Sequence, residues 1–124
     1  MTTPVIRIKR VYEPAEESDG RRILIDRLWP RGVSKAVAQI DYWAKSVAPS
    51  TELRRWYQHD PEKWLEFRRR YAEELDANPD GLAELRTHLT DGPVTFVFGS
   101  KEERLNNAHA LREYLTGVRE TYWR

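Results

Sequence analysis

The sequence predicts a single compact α/β domain across residues 1–124, a small, partly parallel sheet flanked by helices. Three observations predict it. Two apolar runs, Arg22 to Arg27 and Val94 to Phe98, are continuous rather than alternating, as strands covered on both faces are. Several readable helix starts separate them, so a helical crossover joins the two strands, the connection that parallel neighbours require. A chain of 124 residues also lies near the modal size of one domain and should bury roughly two-thirds of the surface its unfolded form exposes.

Each element has its own signal. Val5 to Val11 alternates, with Ile6 and Ile8 on one face and Arg7 and Lys9 on the other, which predicts a half-buried, peripheral strand. Residues 13–20 form an acidic loop, and Ile23-Leu24-Ile25 gives the second strand its apolar centre. Ser50 offers an N-cap to a helix with Glu52 in its first turn, where the helix dipole favours it. Asp60-Pro61 is a cap followed by proline at the first helical position. After it, Trp64, Phe67, Tyr71 and Leu75 recur at helical spacing. Asn78-Pro79 repeats that start, with Leu82, Leu85 and Leu89 as the next stripe. A third strand spans Val94 to Phe98, and Leu105, Ala108, Leu111 and Leu115 mark a last helix closed by Gly117.

Composition excludes several classes of function. The 40% hydrophobic content, with five tryptophans, six tyrosines and three phenylalanines, is too high for a disordered chain. Twenty-one basic residues against 20 acidic ones give a net charge of +1, so nothing global draws the chain to nucleic acid or anionic membrane. Without cysteine there is no disulfide, thiolate catalysis or sulfur-built zinc site. No apolar run approaches a membrane span and residues 1–12 lack the apolar core of a signal peptide, so a cytoplasmic location is expected. His59, His88 and His109 are scattered and argue against a metal site, and no phosphate-binding or dinucleotide fingerprint calls for a cofactor. Arg68-Arg69-Arg70 reads as a salt-bridged helix face through Glu66–Arg70, Arg69–Glu73 and Arg70–Glu74 spacing.

The stretch Asp26-Arg27-Leu28-Trp29-Pro30-Arg31-Gly32 lies just beyond a buried strand, where open α/β sheets bind ligands. Gly99-Ser100-Lys101 lies beyond the other. If these two strands are parallel neighbours, Arg27, Arg31, Ser100 and Lys101 converge on one crevice, joined by Arg54. Guanidinium forks match phosphate or carboxylate, which points to a small anionic metabolite as ligand, with Trp29 packing against its body. Asp26 and His59 are the candidate proton carriers. A carboxylate among guanidiniums should have a depressed pKa, making Asp26 an orienting partner rather than a base. Two other readings compete. A Trp/Arg surface could bind a protein partner or single-stranded nucleic acid, and Trp29, Trp43 and Trp56, beside charged residues, could form a stacking wall for a planar or sugar ligand. Alternatively, these groups form an architectural network in which Arg27 pairs with Asp26 or Asp41, and core packing is the simpler role for the tryptophans.

The run Arg22-Ile23-Leu24-Ile25-Asp26-Arg27-Leu28-Trp29-Pro30-Arg31-Gly32 resembles the signature of the YeaO-like bacterial proteins, domain of unknown function 488. Val11-Tyr12, Asp19-Gly20, Asp41 with Trp43 and Lys45, Pro49 to Arg54, His59 to Leu75 and Lys101 with Asn106 add to the match, which covers nearly the whole chain. The resemblance implies a compact bacterial α/β domain and a shared polar site at Asp26, Arg27, Trp29, Arg31, Ser50, Arg54 and Lys101. It brings no established activity, and whether the chain is an enzyme stays open. One departure bears on mechanism: members often read Asn-His-Ala where this chain reads Asn106-Asn107-Ala108, and asparagine cannot shuttle a proton.

Overall fold

The computed structural model describes residues 5–89 and 92–117. Four strands, β1 (Ile6–Arg10), β2 (Arg21–Leu24), β3 (Tyr42–Trp43) and β4 (Val94–Phe98), form one sheet in the order β1-β4-β2-β3. Every neighbouring pair is parallel. The sheet is therefore wholly rather than partly parallel. The two continuous apolar runs take its centre side by side, with Ile23 opposite Phe96 and Leu24 opposite Val97. The alternating strand takes an edge, as its pattern requires. β3 was not foreseen: two half-buried residues are too short to show a period, and their pairing with Ile23 and Leu24 holds them.

Among the described residues, five helices are interspersed with the strands: α1 (Lys35–Ala38), α2 (Thr51–Tyr57), α3 (Trp64–Asp76), α4 (Pro79–Arg86) and α5 (Asn107–Thr116). The starts of α2 and α4, and of the turn before α3, are those the sequence marks, whereas α1 and the cap of α5 were not foreseen. The Ser50 hydroxyl accepts from Leu53 N, the Asn78 amide from Gly81 N and the Asn106 amide from His109 N. Asp60 caps a short 3-10 turn, Pro61–Lys63, that leads into α3. The α3 stripe Trp64, Phe67, Tyr71 and Leu75 is buried against Ile23, Ile25 and Phe96 on one sheet face, with Leu85 and Leu111 closing the core. Tyr71 spends its hydroxyl on the Val47 carbonyl and Tyr57 its own on Leu105, so neither buries an unpaired O–H.

The opposite sheet face is covered by less. Val11, Ala38 and Val97 make a small cluster with Trp29, Val33 and Ile40. Beside it a charged network is buried: Arg22 Nη1 donates to Asp19 Oδ2 at 2.6 Å, Lys9 Nζ lies 3.1 Å from Asp19 Oδ1, and Thr95 Oγ1 donates to the Asp19 carbonyl. The loop expected to be merely acidic thus contributes a 3-10 turn, Glu17–Asp19, whose last residue anchors the sheet from below. Gly20 permits this, because its φ is +65° and a Cβ there would lie 2.1 Å from the Pro93 carbonyl oxygen.

Some side-chain expectations need correction. Arg70 pairs with Glu66, but not with Glu74, which accepts from the Ser50 amide and hydroxyl. Arg68 is not on a solvated face; it meets Glu113 of α5 at 2.6 Å with both side chains largely buried. Arg27 pairs with neither Asp26 nor Asp41; Asp41 instead accepts from the Arg22 amide. His88 stacks on Tyr42 with ring centroids 3.7 Å apart. His109 is half-buried rather than on the surface, and burial pushes its pKa down to about 4. No helix among the described residues is long and apolar enough to cross a membrane.

Candidate functional site

The site begins where β2 and β4 end. After Ile25, whose amide still reaches the Val97 carbonyl, the chain leaves the sheet at Asp26. The Asp26 carboxyl is held in place from two directions. Gly99 N, just beyond β4, donates to Oδ2 at 2.8 Å, and Asn107 Nδ2, in the first turn of α5, donates to Oδ1 at 3.1 Å. The same Asn107 nitrogen donates to the Ile25 carbonyl at 3.1 Å. Trp43 Nε1 donates to the Asp26 carbonyl at 2.6 Å, which is the use found for β3. Glycine at 99 allows the close approach, since a Cβ there would sit 3.3 Å from Asp26 Oδ2 and 3.5 Å from Pro30 Cβ.

Around Asp26 opens a cavity of about 510 Å³, within the usual range for a small-molecule site. Its walls join the two strand ends to α2 and the turn after it. Of the residues singled out from sequence, Asp26, Arg27, Trp29, Arg31, Arg54, His59 and Ser100 all line it. Lys101 does not; it is exposed outside the lining. Trp43 and Trp56 also lie elsewhere: Trp43 meets Trp29 edge-on at 5.6 Å, and Trp56 lies between the cations of Lys63 and Arg70.

These side chains do different things. Arg27 is partly structural, its Nε and Nη2 donating to the carbonyls of Pro49 and Ala48 at 3.1 and 3.0 Å and tying the end of β2 to the start of α2. Trp29 spends its N–H on the Val33 carbonyl at 2.7 Å, which fixes the indole as a wall. The Ser100 hydroxyl accepts from Glu102 N and shapes the turn that follows β4. Arg31 and Arg54 are different, for neither guanidinium has a hydrogen bond or ion pair among the described residues.

Sequence reasoning missed Arg55, Tyr57 and Gln58 in the lining. Arg55 shares the freedom of Arg31 and Arg54. Gln58 and His59 both have left-handed backbones, φ +48° and +56°, without being glycine. Such conformations cost of order 1–3 kcal/mol each and gather at functional sites. A signal was present: α2 must stop before the Asp60-Pro61 cap restarts a helix, which leaves Gln58-His59 as a forced two-residue turn.

Electrostatically, the lining holds four guanidiniums and a single carboxyl. Burial raises the pKa of Asp26, and it outweighs the opposing hydrogen bonds from Asn107 and Gly99 and the positive fields of Arg54 and His59. The expected depression is therefore overturned, because the guanidiniums stand back from Asp26 while the low-dielectric floor acts on it directly. Chemically, the cavity can hold an oxyanion at its cationic wall. Among the described residues no group of three or more acidic or histidine side chains could hold a metal ion.

Comparison with known proteins gives this geometry a family. An uncharacterized protein of Mycobacterium tuberculosis is 43% identical over 112 residues, covering 90% of this chain and 94% of the relative. The uncharacterized protein YeaO of Escherichia coli is 40% identical over 113 residues, covering 91% of this chain and 98% of its own. No solved structure matches. Residues 5–121 match a family model described as the inactive DUF488-N3 subclade, and the chain belongs to that YeaO-like branch of the DUF488 family.

Proposed function

We propose that the chain binds a small anionic metabolite, phosphorylated or carboxylated, in the cavity beyond β2 and β4, without turning it over. The observation that carries this reading is the set of three guanidiniums, Arg31, Arg54 and Arg55, that line one concave site without a partner among the described residues. Arg22 and Arg27 meet a carboxylate or a carbonyl, whereas Arg31 and Arg55 reach solvent and Arg54 is half-buried, all three in the same concave lining. Forks left open around a cavity suit phosphate or carboxylate. Concavity also favours a small ligand over the flat Trp/Arg surface that a protein or nucleic-acid partner would need.

Two observations support binding without turnover. Asn107 occupies the contact to Asp26 where a proton-carrying side chain would have to stand. His59 is exposed and makes no hydrogen bond to Asp26. The description of the matched subclade as inactive agrees with this. A cytoplasmic location, where such metabolites are abundant, completes the reading.

A thermal-shift screen against phosphorylated metabolites, nucleotides and organic acids tests it. A ligand at 100 times its Kd stabilises by about 2.7 kcal/mol, which moves the midpoint by roughly 8–12 °C in a domain of this size. The expected hit is an anion whose shift disappears in Arg54→Gln while the unliganded midpoint holds. A panel with no anionic hit would discard the reading in favour of an interaction module.

A further inference from the structure

The cavity has two chemically opposite ends, and the second end restricts what can bind. Both N–H bonds of the Asn107 amide are directed at acceptors, the Ile25 carbonyl and Asp26 Oδ1. The Ile25 carbonyl can only accept, so the amide orientation is fixed with nitrogen toward it. The Asn107 carbonyl oxygen is consequently turned away from both, and it has no partner among the described residues. Asp26 adds its own acceptor capacity. Each carboxylate oxygen takes one protein donor, from Gly99 or Asn107, and can take another. Among the described residues no cation lies within ion-pair distance of the Asp26 carboxyl. The floor is therefore built of acceptors and the wall of donors.

We infer that the ligand is a phosphomonoester with a hydroxylated body, its phosphate on Arg31, Arg54 and Arg55 and its hydroxyls donating to Asp26 and the Asn107 carbonyl. This rests on the anion-binding reading and narrows it. Phosphate is preferred to carboxylate because a dianion with three terminal oxygens can occupy more than one fork. Hydroxyls are preferred to an ammonium group because four guanidiniums in the same lining repel a further cation. Trp29 supplies the apolar wall along which the carbon chain lies.

The test compares ligands that share a carbon chain. Calorimetric titration of the unmodified protein with inorganic phosphate, pentyl phosphate and ribitol 5-phosphate separates the two ends. The expected result is that phosphate and pentyl phosphate bind and that ribitol 5-phosphate binds about tenfold more tightly or better, the value of one net hydrogen bond to a charged acceptor. In Asn107→Leu that advantage should shrink while pentyl phosphate keeps its affinity, a readout that a merely misfolded variant would not give. Equal binding of the two esters would overturn this inference and leave the anion site standing. An undiminished advantage in Asn107→Leu and Asp26→Ala would likewise overturn it. If none of the three probes binds, the anion reading itself fails and this inference with it.

Discussion

β2 carries an arginine–aspartate group at each end, and the two groups are used in opposite ways. At its start, Arg22 and Asp19 are buried and face each other at 2.6 Å, with Lys9 beside them. At its end, among the described residues, Asp26 has no cationic partner, and Arg31, Arg54 and Arg55 stand around a cavity without pairing to a carboxylate. The two aspartates register the difference. For Asp19 burial raises the pKa, but hydrogen bonds from Glu16 N, Lys9 and Arg22 overcome it and the net shift is downward. For Asp26 burial prevails over two neutral donors and the net shift is upward. One end of the strand thus satisfies its charges internally, and the other leaves them for something external.

The largest expected effect lies at the satisfied end. Removing one partner strands a buried charge, so Arg22→Ala or Asp19→Ala should cost about 3–5 kcal/mol in urea unfolding. At the open end, Arg31→Gln and Arg55→Gln should stay within about 0.5 kcal/mol of the parent. Equal losses at both ends would erase the distinction and restore the purely architectural account.

Arg27 sits between the extremes, half clamp and half wall. Losing its two bonds to the Ala48 and Pro49 carbonyls should cost about 1.5–3 kcal/mol, smaller than the Arg22 loss, and weaken anion binding as well. Unfolding and titration of Arg27→Ala measure both.

The two aspartates should also titrate apart. Asp19, lowered in the fold, contributes stability above the ordinary carboxyl value of 3.8 that is lost as pH falls through its folded value. Asp26, raised in the fold, contributes stability below 3.8 that is lost as pH rises through its folded value. Carboxyl NMR titration should find Asp19 below 3.8 and Asp26 above it; the reverse order would contradict the comparison.

A separate pH effect is at His109, away from both ends. Its pKa of about 4 in the fold, against 6.5 for a free histidine, means that the unfolded chain takes up a proton first. Stability should fall as pH drops from 6.5 toward 4, and His109→Gln should flatten that part of the profile. An unchanged slope would remove histidine burial as its cause.

Much of this was legible in the residues. Continuous apolar runs placed β2 and β4 at the centre, and once they are parallel neighbours their ends must share one crevice, which is why most of the anticipated site residues meet there. Lys101 stayed outside because the turn after β4 is shaped by Ser100 and Glu102, a local hydrogen-bond detail with no sequence period. Asp26 was misjudged electrostatically because sequence proximity to arginine says nothing about where the guanidiniums point or how deep the carboxyl lies. The buried Asp19–Arg22–Lys9 network escaped notice for the same reason: an acidic loop looks solvated until tertiary contacts bring it under the sheet.

The central claim is that the open end of β2 is an anion site. Calorimetric titration of inorganic phosphate into the unmodified protein and into Arg54→Gln tests it most directly. The account predicts saturable binding that weakens about tenfold or more in the variant, consistent with a lost charge-assisted bond, while the unfolding midpoint is unchanged. No binding to the parent protein, or equal binding to both, would contradict it.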